Sequence, residues 1–92
     1  MPGIRYTVCL RKSVEAALAN LFLDRPADRK QISAAMNDVD RLLAVDPDRK
    51  GQPDPVHEGV RFIVSGPLRF DFSIHEADRK VEILTLAFST DC

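Results

Sequence analysis

The sequence has no tryptophan, only two cysteines and two histidines, and no excess of either charge. Each shortage excludes something. Cys9 lies in an apolar run and Cys92 is the last residue, so the pair lacks the spacing of a disulfide framework, and both read as free thiols. His57 and His75 have no neighbouring Cys and no second His one helical turn away, so no metal motif can be drawn and neither metal nor cofactor is expected. Thirteen Lys and Arg against fourteen Asp and Glu leave a net charge of −1. Nucleic-acid-binding domains usually carry a basic excess that releases condensed counterions, so this balance argues against strong general RNA or DNA binding, although a local basic face is compatible with any net charge. A Gly-rich phosphate loop and a Cys/His/Asp nucleophile cluster are also missing, which leaves little support for a small-molecule enzyme. No run approaches the roughly 18 apolar residues of a membrane span, and the N-terminus lacks the layout of a signal peptide, so a cytoplasmic protein without membrane contact is expected.

What is present suits one core. With 92 residues, 45% of them hydrophobic and 29% charged, the chain reads as a single domain over residues 1–92. Ile4, Tyr6, Val8 and Leu10 alternate with polar or small residues, the period of a short strand. Val14, Ala17, Leu18, Leu21 and Phe22 then recur at helical spacing, with Ser13 available as N-cap and Pro26 as terminator. A second helix is marked by a capping box at Asp28 and Gln31 and by the stripe Ile32, Ala35, Met36, Val39, Leu42 and Leu43, and Asp46-Pro47 closes it. The short connection between the helices predicts an antiparallel hairpin. Residues 47–59 hold three prolines and two glycines without apolar periodicity and read as a surface loop.

From Val60 the period changes to two, and three strands follow as an antiparallel meander: Val60, Phe62 and Val64; Leu68, Phe70, Phe72 and Ile74; and the run from Val81 to Phe88. The fold class is therefore α+β, a strand and a helical hairpin followed by a three-stranded meander packed on the hairpin. Opposed residues of antiparallel strands share a face. A two-residue Gly66-Pro67 turn would set Ile63 against Phe70 and Arg61 against Phe72, mixing polar and apolar side chains. A three-residue turn sets Val64 against Phe70 and Phe62 against Phe72, and is preferred because it gives one apolar face. Continued across the second turn, this register pairs Ile74 with Val81, Phe72 with Ile83 and Phe70 with Thr85. The opposite face then carries Arg61, Ile63, Arg69, Asp71, Ser73, His75, Lys80, Glu82, Leu84, Leu86 and Phe88.

The order of elements, together with "DRLLAVDP", Gly59-Val60-Arg61, "GPLRFDFSI" and "VEILTLAF", resembles the RelE/ParE toxin superfamily of type II toxin–antitoxin and plasmid-stabilisation systems over nearly the whole chain. The resemblance implies a toxin masked by a cognate antitoxin, and either a ribosome-dependent mRNA endonuclease or a ParE-like poison that binds DNA gyrase. In the nuclease branch, cationic residues on the sheet face away from the helices bind mRNA and stabilise the cleavage transition state, and Arg61 and Arg69 occupy matching strand positions. An arginine fork can offset charge building up on a phosphate without itself taking a proton. His75 is the candidate acid/base group. Nuclease members continue past the last strand with a His/Arg-rich segment and a Tyr, whereas Phe88 is followed here by Ser89-Thr90-Asp91-Cys92, so nuclease and non-nuclease readings both stay open. An antitoxin would contact Ile63, Leu84, Leu86 and Phe88. The alternative is a non-toxic binding module or homodimer of the same fold, in which Arg61 pairs with Glu82 and Arg69 with Asp71 or Asp91.

Overall fold

The N-terminal alternation forms β1, Thr7–Leu10, and the chain turns directly into α1, Lys12–Asp24. The computed structural model describes residues 5–88; Ile4, Asp91, Cys92 and the other residues of segment 89–92 lie outside the described residues. Helix α1 starts one residue before Ser13, with Arg11 in an extended conformation as its N-cap and no side-chain cap bond. It ends ahead of Pro26, and a 3-10 turn, Pro26–Asp28, leads into α2, Arg29–Leu43. The expected capping box does not form: Asp28 is the N-cap but makes no side-chain cap bond, and its carboxylate lies 3.8 Å from Arg25. The junction is held instead by Arg29, whose Nε donates to the Phe22 carbonyl at 2.7 Å, and by the Arg25 guanidinium, 4.2 Å from the centre of the Phe88 ring.

Residues 47–59 are more structured than a surface loop. Pro47 is buried in a 3-10 turn, Pro47–Arg49, and Gln52–Pro53 forms a short strand, β2. The Lys50 amine donates to the carbonyls of Leu42 at 3.4 Å and Val45 at 3.1 Å, so a cation occupies the negative end of α2. Strands β3, Arg61–Ser65, β4, Leu68–His75, and β5, Lys80–Phe88, complete a five-stranded sheet ordered β1-β5-β4-β3-β2. Only β1 runs parallel to its neighbour, β5. Helix α1 packs on β5 and α2 on β3, so both cover the same sheet face. Between the layers lie Val14, Ile32, Val39, Leu43, Leu68, Phe70, Phe72, Val81 and Ile83, all almost fully buried.

Two features correct the expected register. The hairpin uses the two-residue Gly66-Pro67 turn, pairing Ile63 with Phe70 and Arg61 with Phe72. Gly66, at φ 55°, supplies the left-handed residue that so tight a turn requires. Arg61 therefore starts on the helix side, where an unpaired charge would be costly. Its guanidinium is satisfied by the Lys50 and Gly51 carbonyls, with Nε and Nη2 each donating at 3.2 Å. The pairings of Ile74 with Val81 and Phe72 with Ile83 are as expected, but Asp71 pairs with Thr85, leaving Leu84 as the extra residue of a bulge. Beyond the bulge every side chain of β5 changes face. Leu86 comes opposite Phe70 and Phe88 opposite Leu68, and both pack partly buried against the core, as does Ile63.

Candidate functional site

The corrected register fixes what the uncovered face displays. Residues alternating with the buried Leu68, Phe70 and Phe72 on β4 are Arg69, Asp71, Ser73 and His75, joined by Phe62 and Val64 from β3 and by Glu82 and Thr85 from β5. The polar side chains fall into two hydrogen-bonded or ion-paired groups along the row. The Arg69 Nε points to Asp71 Oδ1 at 3.4 Å, and the other Asp71 oxygen accepts the Thr85 hydroxyl at 2.7 Å. Further along, Glu82 lies between Arg11, with Nε to Oε2 at 3.4 Å, and His75, whose Nε2 is 3.6 Å from Oε1 and 3.2 Å from the Ser73 hydroxyl. The Arg69 guanidinium also stacks over Phe62, 4.2 Å from the ring centre.

Residues 54–57 rise over this face as a small turn built by Asp54. Its Oδ1 accepts the backbone N–H of Val56 at 2.8 Å and of His57 at 3.2 Å, and its own N–H donates to the Val60 carbonyl. The Asp54 side chain is only 9% exposed. Those two amide bonds, the one from Val56 foremost, hold its carboxyl below the ordinary value of 3.8. His57 projects beside it, with Nδ1 3.8 Å from Oδ1. The turn borders an open concavity of about 570 Å³ lined by residues 52–57 together with Phe62 and Arg69. A smaller one, about 210 Å³, lies against Arg11, Asp54, His57, Val60, Asp71, Leu84 and Thr85.

The residues singled out in the sequence are thus not brought together. Arg61 lies on the helix side and is engaged by backbone carbonyls, while Arg69 is on the open face. His75 shares that face but stands six residues along β4, about 20 Å from Arg69 at strand rise. Of the four apolar contact candidates, Leu84 alone borders the open face. Asp54, His57, Phe62 and Arg11 were missed. Phe62 was assigned to the wrong side with its strand, whereas the Asp-Pro-Val-His order of residues 54–57 is a legible side-chain turn signal. Among the described residues, no three His, Cys, Asp or Glu side chains are placed to hold a metal ion, and no helix is long and apolar enough to cross a membrane.

No family model matches the chain, and no curated protein matches it at a significant level. Solved structures do. A chain from the toxin–antitoxin complex RelBE2 of Mycobacterium tuberculosis matches with a TM-score of 0.78 and 23% identity, over 96% of this chain and 95% of that one. The chain has the RelE/ParE fold. A chain from the chromosomal ParDE toxin–antitoxin system of P. aeruginosa gives 0.74 at 17% identity, over 92% and 97% of the two chains. One from the archaeal RelE–RelB complex of Pyrococcus horikoshii gives 0.59 at 18%, over 96% and 99%. The RelE/ParE fold accounts for the mixed sheet with both helices on one face, and it leaves the row from Arg69 to His75 as the uncovered surface.

Proposed function

We propose that this chain is the toxin component of a type II toxin–antitoxin pair, held inactive by a cognate antitoxin and acting on its target by protein contact. The observation that carries the first part is the near full-length likeness of the fold to chains solved in toxin–antitoxin assemblies from three organisms. The second part is supported by the engagement of the two arginines that an mRNA-cleaving surface would need. Arg61 donates to carbonyls on the helix side, and Arg69 is directed at Asp71 and stacked on Phe62. The open face mixes Asp54, Asp71 and Glu82 with Arg11 and Arg69, which gives little of the counterion release that drives RNA binding.

Induced expression should arrest growth, and co-expression of the product of the adjacent gene should relieve the arrest. Unimpeded growth at high soluble expression would favour the second reading, a binding module or homodimer of the same fold, which the internal pairing of the outer-face charges also suits. Two assays separate the targets. Contact toxicity predicts inhibition of gyrase supercoiling with no mRNA cleavage on translating ribosomes, whereas ribosome-dependent cleavage lost in Arg69→Ala would assign the nuclease reading.

A further inference from the structure

The 570 Å³ outer-face concavity has an apolar lip that the described residues leave uncovered, Val56, which is 79% exposed. Val64, outside the lining but on the same sheet face as Phe62, is 61% exposed. Single exposed apolar side chains are common on protein surfaces, and what sets this concavity apart is the set of polar groups beside them. The cavity's polar groups are arranged asymmetrically. Asp54, its one carboxylate, is turned inward and occupied by the Val56 and His57 amides. Arg69 presents its Nε to Asp71, which lines the neighbouring cavity and whose other oxygen accepts the Thr85 hydroxyl. The planar fork thus keeps its two terminal nitrogens for a second acceptor, with the guanidinium carbon held over the Phe62 ring, 4.2 Å from its centre. His57 also lines the concavity, with its side chain 70% exposed and Nδ1 turned toward Asp54, so that Nε2 remains for an outside partner. The cavity therefore offers donors and an aliphatic and aromatic lip, with its own anion already used.

A single-stranded nucleic acid is the poorer fit, because the surrounding face alternates acidic and basic groups and one face of the Phe62 ring is taken by Arg69. We propose that this cavity seats an acidic–aliphatic segment of the partner protein, its carboxylate held by Arg69 and His57 and a neighbouring aliphatic side chain resting on Val56 and Phe62. This rests on the reading of the chain as a toxin with a protein antitoxin, and it locates and specifies that contact.

The test uses the full chain and the full-length product of the adjacent gene, with affinity measured by titration calorimetry. Arg69→Gln is expected to weaken binding about thirtyfold and Val56→Ser about fivefold, the effects of removing one partner of a buried charge pair and part of an apolar anchor. His57→Gln alters an exposed side chain and serves as a second variant, and unchanged thermal unfolding midpoints in all three would show that folding is kept. Short peptides tiling the adjacent product should shift the amide resonances of residues 54–57, Phe62 and Arg69 only where Asp or Glu neighbours Leu, Ile or Val. Arg69→Glu should be rescued by the reverse charge change in that peptide. If the adjacent product binds all variants as tightly as the unaltered chain, the proposal fails while the toxin reading survives. Failure of the adjacent product to bind at all overturns both. Binding of an oligouridine RNA that Arg69→Gln abolishes, with no peptide response, overturns the proposal in favour of a nucleic-acid site.

Discussion

Arg61 shows how a residue's role follows from its partners more than from its type. Placed opposite Phe72, it would be an unpaired cation against the core, yet its fork closes on two carbonyls in the segment that also carries Lys50, whose amine in turn caps α2. Arg61→Ala should therefore lower stability by about 1–3 kcal/mol, through two carbonyls deprived of a donor, which a reduced urea midpoint would reveal. Gly51 is the second constrained position. At φ +68° a Cβ there would come 2.3 Å from the Phe62 carbonyl oxygen, backbone that cannot swing aside. Gly51→Ala should cost about 2 kcal/mol or more and detach β2, seen as faster amide exchange at Gln52 and Phe62. Asp54 supplies a pH dependence with a definite sign. Its carboxyl titrates lower in the folded chain than in the unfolded one, so its contribution is complete above the ordinary value of 3.8 and is lost as pH falls through the depressed folded value. Asp54→Asn keeps an oxygen acceptor for the turn and should remove this acid-side loosening, measurable as the pH profile of the Val56 and His57 amide shifts.

At the scale of elements, β5 holds the clearest test. Its bulge at Leu84 divides the strand into two stretches whose side-chain alternation is out of step, so that Val81 and Ile83 before it and Leu86 and Phe88 after it all face the helices. Leu86→Ala should cost about 2–4 kcal/mol, whereas Leu84→Ala should stay near 1 kcal/mol or less, and comparing their unfolding midpoints tests the placement. This bulge also explains what the sequence could not disclose. The helices, the opening strand and the meander were legible because apolar periods of 3.6 and 2 are local signals, as the stripe Ile32, Ala35, Val39 and Leu43 illustrates. Register was not, because a run apolar on both sides, such as residues 81–88, looks the same with or without an extra residue. The rule that polar side chains face outward then selected the wrong hairpin turn, since nothing near Arg61 in the sequence announces the carbonyls that satisfy it. Strand β2, two residues long and ending in proline, is too short to carry any period. The open face inherited these errors: Arg69 and His75 were placed correctly, and Phe62 and Val64 were exchanged with Arg61 and Ile63.

For the whole molecule, the layered arrangement divides labour between the two sheet faces. One is committed to Phe70, Phe72 and the helices, so substitutions there act through stability. The other, from Val56 to His75, can change with small effect on folding. Arg69→Gln and His75→Gln should each shift the thermal midpoint only slightly, since exposed ion pairs contribute about 0–1 kcal/mol, while substitutions under the helices lower it steeply. A calorimetric scan of both sets checks this division. Finally, β1 lies beside β5, the first strand beside the last, and Thr7 and Arg11 donate their backbone N–H groups to carbonyls at Arg79 and Ile83. During synthesis on the ribosome, the opening strand has no place to dock until the final strand has left the exit tunnel. The β1–β5 edge is thus closed by a contact between residues far apart in the sequence, a later and slower step than zipping the β3–β4–β5 meander, whose neighbours are also neighbours along the chain.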